Sequence, residues 1–542
     1  MKPDDRQKNS LQKEEAANST DEEQTGLQFL RRILLAKVYE VAKETELTQM
    51  TKLSTQFDQQ IFLKREDQQP VQSFKIRGAY NKLANLVEQQ STPTKEVVAA
   101  SAGNHAQGLA LAARQLNIKA TIFMPITTPD IKVDNVRRLG GNVKLIGKCF
   151  DHAQAEAVAY ANEHNLELIH PFDDLDVIAG QGTIAQELLQ QQSDSDVIFI
   201  PVGGGGLLAG MAVYIKQLSP NTKIVGVEAE DSACLQAALE AEKPVDLEHV
   251  GLFADGVAVK RIGEKTFSLI QKYCDQVITV NSDEICAAIK DIFEQTRVIA
   301  EPAGALSLAG LKKYILDNRS EISETPETQQ KLVAILSGAN MSFHNLRYVS
   351  ERCELGEQKE AVLAVTIAEE KGSFRKFCKS LGGRVITEFN YRYSNNANSK
   401  NKHAHIFVGV RLGEAPDERN SLVSNLRKAN YQVEDLTENE LAKLHIRYMV
   451  GGTNTKSSHE RIFRFQFPEY PGALEKFLNT LGEHWNISLF HYRNHGAAFG
   501  QVLAGFEVEE KQQLDFFRHL KDLGYEWKEE TNNSAYQAFL GG

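Results

Sequence analysis

Cysteine is scarce in this chain. Six cysteines are scattered among 542 residues, and none belongs to a Cys-x-x-Cys pair: Cys149, Cys234, Cys274, Cys286, Cys353 and Cys378. Disulfide frameworks and structural zinc sites need cysteines at characteristic spacings. The pattern therefore predicts reduced thiols, no metal centre and a cytoplasmic location.

Long apolar runs and an excess of basic residues are also missing. No apolar run approaches the roughly 20 residues that a membrane-spanning helix needs. The polar, acidic amino terminus has the features of neither a secretory signal nor a transit peptide. The formal net charge is −11, and no basic run offsets it, which argues against a nucleic-acid partner. We therefore predict no membrane and no nucleic-acid function.

The remaining composition is that of an ordinary globular protein, with 42% hydrophobic and 25% charged residues. Residues 1–26 are polar and lack aromatic side chains, so we expect a disordered tail, followed by a helix from Leu27 to Ala42. From Ile61 to Asn340, strand-like runs alternate with helical ones: Glu96–Ala100, Lys119–Met124, Val143–Ile146, Leu166–Ile169, Val197–Val202, Lys223–Val227, Val277–Val280 and Lys331–Leu336. This alternation predicts an α/β domain over residues 27–343, with a mostly parallel sheet covered by helices on both faces.

The first candidate site residue is Lys75. The segment Gln72–Ala79 follows the strand-like run Ile61–Lys64 and opens a helical pattern. This lysine therefore lies at a strand-to-helix junction, where functional groups of α/β sheets commonly emerge. A lysine held as an imine to an aldehyde cofactor is a handle for covalent catalysis. Taken alone, the motif also fits a surface lysine on a first helical turn.

Three further segments follow strand-like runs. Ser101–His105 precedes a helix, whose free N–H groups suit a small carboxylate, and Asn104 can donate a hydrogen bond to a cofactor oxygen. The segment also fits a plain helix N-cap. Gly203–Gly206 allows the backbone to wrap an anion. Ser337 offers a neutral hydroxyl that would leave a pyridine nitrogen unprotonated, although Ser-Gly after a strand also fits a simple turn.

The glycine-rich segment has a second interpretation. The strand Lys223–Val227 ends in Glu228, at about the separation that a dinucleotide fold uses for its ribose-binding acid. No register of the glycines gives Gly-x-Gly-x-x-Gly, because Leu208 and Ala209 occupy the positions of the third glycine. No Gly-Lys-Ser/Thr follows for a P-loop. The loop is therefore predicted to hold a phosphate and is a poor dinucleotide fingerprint.

Together these segments resemble the fold-type II pyridoxal-phosphate enzymes, and most closely the threonine ammonia-lyases. The resemblance extends from about Leu30 to the carboxyl terminus. It rests on seven segments in this order: Lys64–Asp67, Ser73–Ala79, Ser101–His105, Gly203–Leu207, Ala254–Ala258, Glu301–Gly304 and Ser337–Asn340. It implies a tryptophan synthase β-like α/β core that binds pyridoxal 5′-phosphate.

The resemblance also implies a role for each site residue. Lys75 resembles the Schiff-base lysine and catalytic base, and Asn104 the partner of the cofactor's phenolic oxygen. Phe74 resembles the residue against the cofactor ring, and Ser337 the partner of its pyridine nitrogen. The phosphate cradle is implied for Gly203, Gly204, Gly205, Gly206 and Leu207. The site for the substrate carboxylate is implied for Ser101, Ala102, Gly103, Asn104 and His105.

The implied activity is the elimination of water from L-threonine, and from L-serine, giving 2-oxobutanoate or pyruvate together with ammonia. Serine racemases and serine/threonine dehydratases of the same fold, with another substrate preference, are the alternative. The racemases carry a second serine where Ala102 stands, and a divalent ion near the position of Glu228. Cys234 occupies the place of one carboxylate ligand of that ion. These departures count against racemisation and against a metal.

The second half of the chain contains an internal repeat. After a charged neck at residues 344–360, the segments Glu370–Phe377 and Tyr470–Phe477 match at an offset of 100 positions. Each copy begins with an alternating strand, Val362–Ala368 or Arg461–Phe467, and continues in the order βαββαβ. This predicts two α+β domains of ferredoxin-like order, over residues 361–435 and 460–532.

Both copies resemble the ACT-like domains that sense amino acids, chiefly through Pro468–Leu474, which is similar to the turn after their first strand. In the first copy, Glu369–Lys371 stands where the second has its prolines. Two such domains after the core imply a feedback-regulated enzyme of isoleucine synthesis, with isoleucine as inhibitor and valine as a candidate activator. The resemblance further implies a homotetramer. The alternative is a pair of domains that mediate assembly alone.

Overall fold

The computed structural model describes most of the chain as two compact units, Met1–Met341 and Ser342–Gly542. The described residues are 26–89, 94–318, 329–343, 345–357, 359–368, 373–382, 384, 386–392, 403–413, 417–446, 459–468, 476–482, 484–485, 487–493 and 499–539. Of the helices in these ranges, none has both the length and the apolar character that crossing a bilayer requires.

The first unit alternates strands and helices. Its strands are β1 (Leu47–Gln49), β2 (Gln60–Arg65), β3 (Glu96–Ala100), β4 (Lys119–Met124), β5 (Asn142–Leu145), β6 (Glu167–Leu168), β7 (Val197–Pro201), β8 (Lys223–Ala229), β9 (Gln276–Val280) and β10 (Lys331–Leu336). Its helices are α1 (26–34), α2 (Thr51–Phe57), α3 (Lys75–Gln89), α4 (Asn104–Gln115), α5 (Asp130–Arg138), α6 (Phe150–His164), α7 (Leu175–Gln191), α8 (Gly206–Leu218), α9 (Cys234–Glu240), α10 (Glu264–Tyr273), α11 (Ser282–Thr296) and α12 (Pro302–Asp317).

These strands form two sheets. One has the order β1-β2-β10-β7-β8-β9 and the other the order β5-β4-β3-β6. The pair β1–β2 is antiparallel, and the other neighbouring pairs are parallel. The predicted mostly parallel α/β architecture is confirmed, whereas the division into two sheets was not predicted. Parallel pairing brings the carboxyl ends of these strands to one edge of each sheet, where ligands bind in such folds.

Helix α1 is shorter than its apolar spacing predicts. The helix covers residues 26–34 and ends before the predicted limit, Ala42. After the end of the helix, the Lys37 N–H donates to Oδ1 of Asn81 in α3 at 2.9 Å, and Val38 is fully buried. Contacts with α3 therefore replace the helical hydrogen bonds that the local pattern favoured.

Close packing of α3 on α7 sets the position of Lys75, the first residue of α3. A Cβ atom at Gly78 would lie 2.6 Å from the Val177 carbonyl oxygen, and one at Gly180 would lie 2.7 Å from the Arg77 carbonyl oxygen. Contacts this short exclude any side chain at either glycine. The two helix backbones thus touch directly, and the first turn of α3 is held against α7.

The second unit begins with α13 (Asn345–Gly356) and contains the repeat. The first copy consists of β11 (Glu360–Ala368), α14 (Ser373–Ser380), β12 (Ile386–Arg392), β13 (His403–Arg411), α15 (Glu418–Lys428) and β14 (Gln432–Asp435), followed by α16 (Glu440–Leu444). The second consists of β15 (Glu460–Pro468), a helical turn (Leu478–Gly482), β16 (Ile487–Arg493), β17 (Phe499–Glu507), α17 (Gln513–Leu523) and β18 (Glu526–Glu529), followed by α18 (Ser534–Phe539).

The predicted βαββαβ order is confirmed for both copies. The two antiparallel sheets have equivalent orders, β12-β13-β11-β14 and β16-β17-β15-β18. Each sheet also has a register shift at the equivalent place, between Ile386 and Glu388 and between Ile487 and Leu489. Much of the matched turns, residues 369–372 and 469–475, lies outside the described residues.

The two copies share an apolar cluster in addition to having a core each. Along β11, Leu363 and Val365 pack under the helices of the first copy, whereas Val362 belongs to a cluster that also contains Ile462 and Leu503 of the second copy. Alternate residues of a strand face opposite sides of a sheet. One face of each sheet therefore packs against the helices of its own copy, and the opposite face packs against the other copy.

Candidate active site

Lys75 lies at the start of α3 with its amine directed into the interior. Its Nζ donates to the Pro171 carbonyl oxygen at 3.1 Å and lies 5.1 Å from the centre of the Phe74 ring. Burial lowers the pKa of Lys75 to about 8, partly opposed by the charge of Glu301. A lowered pKa raises the fraction of neutral amine near pH 7, and the neutral form is the one that attacks a carbonyl or accepts a proton.

The end of β10 brings Ser337 next to this lysine. The Phe74 N–H donates to the Ser337 carbonyl oxygen at 3.1 Å, and Ser73 forms an isolated bridge with Gly338. The Ser337 hydroxyl is buried and donates to the Ala303 carbonyl oxygen at 3.3 Å. Backbone pairing thus joins two motifs that are far apart in the sequence.

The glycine loop connects β7 to α8. Gly205 has a φ of +88°, and a Cβ at Gly204 would lie 2.3 Å from the Phe172 ring. The Gly204 carbonyl oxygen accepts a hydrogen bond from Thr266 Oγ1 at 2.8 Å. The loop has no cationic side chain, so an anion there would be held by backbone N–H groups at a helix N-terminus.

One pocket collects the predicted cofactor residues. It is lined by Phe74, Lys75, Asn104, Phe172, Pro201, Gly203, Gly204, Gly205, Gly206, Leu207, Gly256, Val257, Glu301, Ala303 and Ser337. All nine residues that the sequence assigned to the cofactor are in this set. A reactive amine, an anion-binding loop and a buried hydroxyl therefore meet in one cavity, and this donor set fits a phosphorylated pyridine aldehyde.

The segment predicted for the substrate carboxylate contributes only Asn104 to the pocket lining. The Ser101 N–H is already used, because it donates to the Phe123 carbonyl oxygen at 3.2 Å. The Gly103 N–H donates to Ser101 Oγ at 3.3 Å, and a Cβ at Gly103 would meet open space. Ala102 and His105 lie beside them, at the carboxyl end of β3 and the start of α4.

His105 is buried in a neutral form. Burial, together with the charge of Lys75, lowers its pKa to about 3. Its Nε2 lies 3.3 Å from the Ile169 carbonyl oxygen. A neutral imidazole adds no positive charge to this part of the site, so any carboxylate there depends on N–H donors.

Glu301 is the site residue to which the sequence assigned no role. It is 4% exposed, lines the pocket, and its Oε1 accepts a hydrogen bond from Asn104 Nδ2 at 2.6 Å. Burial, followed by the charge of Asp255, raises its pKa to about 7. The Glu-Pro-Ala-Gly motif marked this segment in the sequence, but the motif alone does not indicate where the Glu301 carboxyl points.

Glu228 has a structural role. It lies within β8, one residue before the strand ends, and is fully buried. Its carboxylate accepts the N–H groups of Leu235 at 2.7 Å and Gln236 at 2.8 Å, at the start of α9. These bonds occupy the oxygens that a ribose would need, which removes the support for the dinucleotide interpretation.

Comparison with known families identifies both units. Residues 38–338 match the family described as pyridoxal-phosphate dependent enzyme. Residues 351–446 and 451–540 match the family described as the C-terminal regulatory domain of threonine dehydratase. The second match covers both copies of the repeat.

Similar proteins carry consistent names. The chain is 57% identical over 517 residues to L-threonine dehydratase biosynthetic IlvA of Salmonella typhimurium, covering 95% of this chain and 98% of that protein. It is 48% identical over 518 residues to the mitochondrial threonine dehydratase of Saccharomyces cerevisiae, covering 94% and 89%.

Solved structures agree with this. The processed form of threonine deaminase isoform 2 from Solanum lycopersicum matches with a TM-score of 0.58 and 47% identity, over 61% of this chain and 89% of that one. A maize serine racemase shares the fold, with a TM-score of 0.54 and 30% identity over 60% and 96%. The chain therefore belongs to the biosynthetic threonine dehydratases, pyridoxal-phosphate-dependent lyases with a C-terminal regulatory domain.

Proposed function

We propose that this chain removes water from L-threonine, and also from L-serine, to give 2-oxobutanoate or pyruvate and ammonia. The observation that carries the proposal is the convergence of Lys75, the glycine loop and Ser337 on one pocket. The names of its relatives support threonine as the substrate. The product 2-oxobutanoate would feed isoleucine synthesis.

Each residue has a distinct task in this proposal. Pyridoxal phosphate, when bound, supplies the electron sink that allows the Cα–H bond to break and the β-hydroxyl to leave. Lys75 would hold the cofactor through its amine, and its free amine would accept the Cα proton of the substrate. Its lowered pKa suits both tasks, because each requires a neutral amine near pH 7.

The other residues bind and orient. The N–H groups of Gly203–Leu207 would hold the phosphate, Asn104 would donate to the phenolic oxygen, and Phe74 would lie against the ring; all of these residues line the pocket. The Ser337 hydroxyl would be the partner of the pyridine nitrogen and, being neutral, would leave that nitrogen unprotonated, which weakens the electron sink and disfavours side reactions such as transamination. The N–H groups of the segment Ser101–His105 that the fold leaves available hold the substrate carboxylate.

The experiment is a product assay with L-threonine, L-serine and D-serine, measuring 2-oxobutanoate, pyruvate and chiral serine. Higher kcat/KM on L-threonine, without racemised serine, supports the proposal. Faster release of pyruvate from L-serine, or accumulation of D-serine, would instead favour the serine dehydratase or racemase activity of structural relatives such as the maize enzyme.

Replacing Gly205 with valine should weaken cofactor binding about 10- to 100-fold, corresponding to the roughly 1–3 kcal/mol that overpacking costs. The φ of +88° strains any residue with a Cβ, and that Cβ would lie 2.8 Å from both Ile262 and Ile270. Equilibrium dialysis of the cofactor measures the effect. The matched control is Gly140→Val, because Gly140 also has a positive φ, +102°, and does not line the pocket. Unchanged affinity in Gly205→Val would show that the phosphate lies elsewhere.

We further propose that the second unit senses isoleucine as an inhibitor, with valine as an activator, in a homotetramer. Support comes from the two βαββαβ copies, their shared apolar cluster and the regulatory-domain match. Allostery requires a second site and an effector that prefers the less active state, with a coupling of typically about 5- to 150-fold in affinity.

A chain ending at Met341 should keep threonine turnover and lose its response to isoleucine. The first unit is compact by itself, and a solved threonine deaminase from T.th. is matched over 99% of its own chain by 58% of this one. Turnover is measured across an isoleucine titration, with cofactor uptake and circular dichroism as folding controls. Inhibition equal to that of the full chain would place the effector site in the first unit.

We also propose a cytoplasmic location. The described cysteines Cys149, Cys234, Cys274, Cys286 and Cys353 are free thiols. Free thiols are typical of a reducing compartment. Fractionation of cells that produce the protein, with activity measured in each fraction, tests this proposal.

A further inference from the structure

Glu301 occupies an unusual place for a buried carboxylate. It is the residue before α12, yet its side chain does not cap that helix. The Gly304 N–H instead donates to the Glu301 backbone carbonyl oxygen at 2.8 Å. The carboxyl is therefore turned away from the helix and into the pocket that also contains Lys75 and Ser337.

A hydrogen-bond chain connects this carboxyl to the Asn104 amide. Asn104 Nδ2 donates to Glu301 Oε1 at 2.6 Å, and Asn104 Oδ1 accepts from Asn340 Nδ2 at 2.7 Å. Asn340 Nδ2 also donates to the Val71 carbonyl oxygen at 2.8 Å. The oxygen and the nitrogen of the Asn104 amide thus both have hydrogen-bond partners in the protein. The nitrogen has a second hydrogen that can bind another acceptor.

Close packing against Gly338 fixes the position of the Glu301 carboxyl. A Cβ at Gly338 would lie 2.3 Å from Glu301 Oε1, and the Glu301 N–H donates to the Gly338 carbonyl oxygen at 3.3 Å. Because Gly338 directly follows Ser337, the carboxyl is fixed against the strand end that provides the predicted partner of the pyridine nitrogen.

The charges that face Glu301 come from three elements. Lys75 on α3 and Lys132 on α5 are the cations, and Asp255, in the 3-10 helix Asp255–Val257, is the anion. Lys132 forms its ion pair with Asp255. No ion pair to Glu301 occurs within the described parts of the chain. Burial and the charge of Asp255 raise its pKa, whereas the Asn104 hydrogen bond and the charge of Lys132 oppose them.

We propose that Glu301 is a positioning residue for the reaction: it orients the Asn104 amide toward the phenolic oxygen of the cofactor and places a titratable negative charge beside Lys75. This rests on the proposed function in that both need the cofactor in this pocket. A merely structural role for Glu301 would affect folding alone. The positioning role and the structural role can be distinguished by two substitutions, one that removes only the charge and one that removes both the charge and the hydrogen-bond acceptor.

The test uses the full-length holoenzyme and two substitutions. Glu301→Gln removes the charge and keeps an oxygen that accepts from Asn104, whereas Glu301→Ala removes both. The matched control is Glu284→Gln, because burial likewise raises the pKa of Glu284, a glutamine oxygen can still accept from the Asn281 N–H, and Glu284 does not line the pocket. Readouts are the absorbance of bound cofactor from pH 5 to 9, the cofactor Kd and kcat against pH.

In the parent protein and in Glu284→Gln, the absorbance and kcat should change with a midpoint near pH 7. Glu301→Gln should lose that transition and keep its cofactor affinity. Glu301→Ala should lose the transition and also bind the cofactor about tenfold more weakly, the scale of one lost hydrogen bond.

An unchanged transition in folded Glu301→Gln, or none near pH 7 in the parent, would overturn the proposal. The absorbance readout needs no substrate. A protein that binds cofactor with the expected titration but does not dehydrate threonine therefore refutes the proposed function alone. Failure of the parent to take up the cofactor refutes both.

Discussion

Replacing Lys75 with alanine is expected to lower threonine turnover by about 10⁴-fold or more. A single general acid–base group contributes up to about 10⁴-fold, and here the same residue is proposed to hold the cofactor covalently as well. Alanine removes the only amine recorded among the pocket-lining residues. The measurement is 2-oxobutanoate release together with the absorbance of the bound cofactor.

The control is Lys82→Ala on the same helix. Lys82 forms an ion pair with Asp174 at 2.8 Å and does not line the pocket, so its loss should leave the cofactor absorbance in place. Borohydride reduction followed by peptide mapping locates the attachment point directly. A reduced cofactor adduct on another lysine of the parent protein would refute the role of Lys75.

Replacing Arg77 with methionine is expected to lower the free energy of unfolding of the first unit by about 3–5 kcal/mol. Arg77 lies two residues after Lys75 and is fully buried. Its guanidinium bonds to both oxygens of Glu66, at 2.8 and 2.7 Å, and to Glu187 Oε1 at 2.6 Å. Removing this cation leaves buried carboxylates with less compensating charge, which is the costly case.

The other hydrogen bonds of Glu66 and Glu187 explain why rearrangement of the neighbouring side chains cannot restore the lost stability. Lys64 bonds to Glu187 Oε2 at 2.7 Å and to the Thr45 carbonyl oxygen at 2.7 Å. Thr45 Oγ1 donates to Glu66 Oε1 at 2.7 Å. The ion pairs of Arg77 and Lys64 with these carboxylates have side chains no more than 2% exposed, so water cannot replace the lost partner.

Urea denaturation measures the effect, and the matched control is Arg261→Met. Arg261 pairs with Asp246 and Glu264 at the surface, where such pairs contribute about 1 kcal/mol or less. Arg77→Lys is the second comparison, since it keeps the charge but loses the two-point contact with Glu66. If Arg77→Met lost less than about 1 kcal/mol, Lys64 would be sufficient to compensate both carboxylates.

Strand and helix positions were largely readable from the sequence. The runs Glu96–Ala100, Lys119–Met124 and Lys331–Leu336 are strands with the predicted limits, because apolar runs of this length between turn residues are local signals. The repeat was readable for the same reason. Its glycine turns and alternating strands recur at a fixed offset.

The candidate site was readable because its parts lie at strand ends. Parallel strands bring their carboxyl ends to a common edge, where the residues after β7 and β10 lie. The resemblance to the fold-type II enzymes assigned these residues and Lys75 to one site. The structure places all the predicted cofactor residues in one pocket. Their roles there remain predictions for the experiments described above.

Tertiary structure alone decided the features that depend on contacts between distant segments. The division of the strands into two sheets, the early end of α1 and the direction of the Glu301 carboxyl belong to this class. Asn104 and Glu301 are 197 positions apart, and neither residue's neighbours indicate the bond between them. Periodicity reports which face of an element is buried, whereas the partner on that face is set by how the whole chain packs.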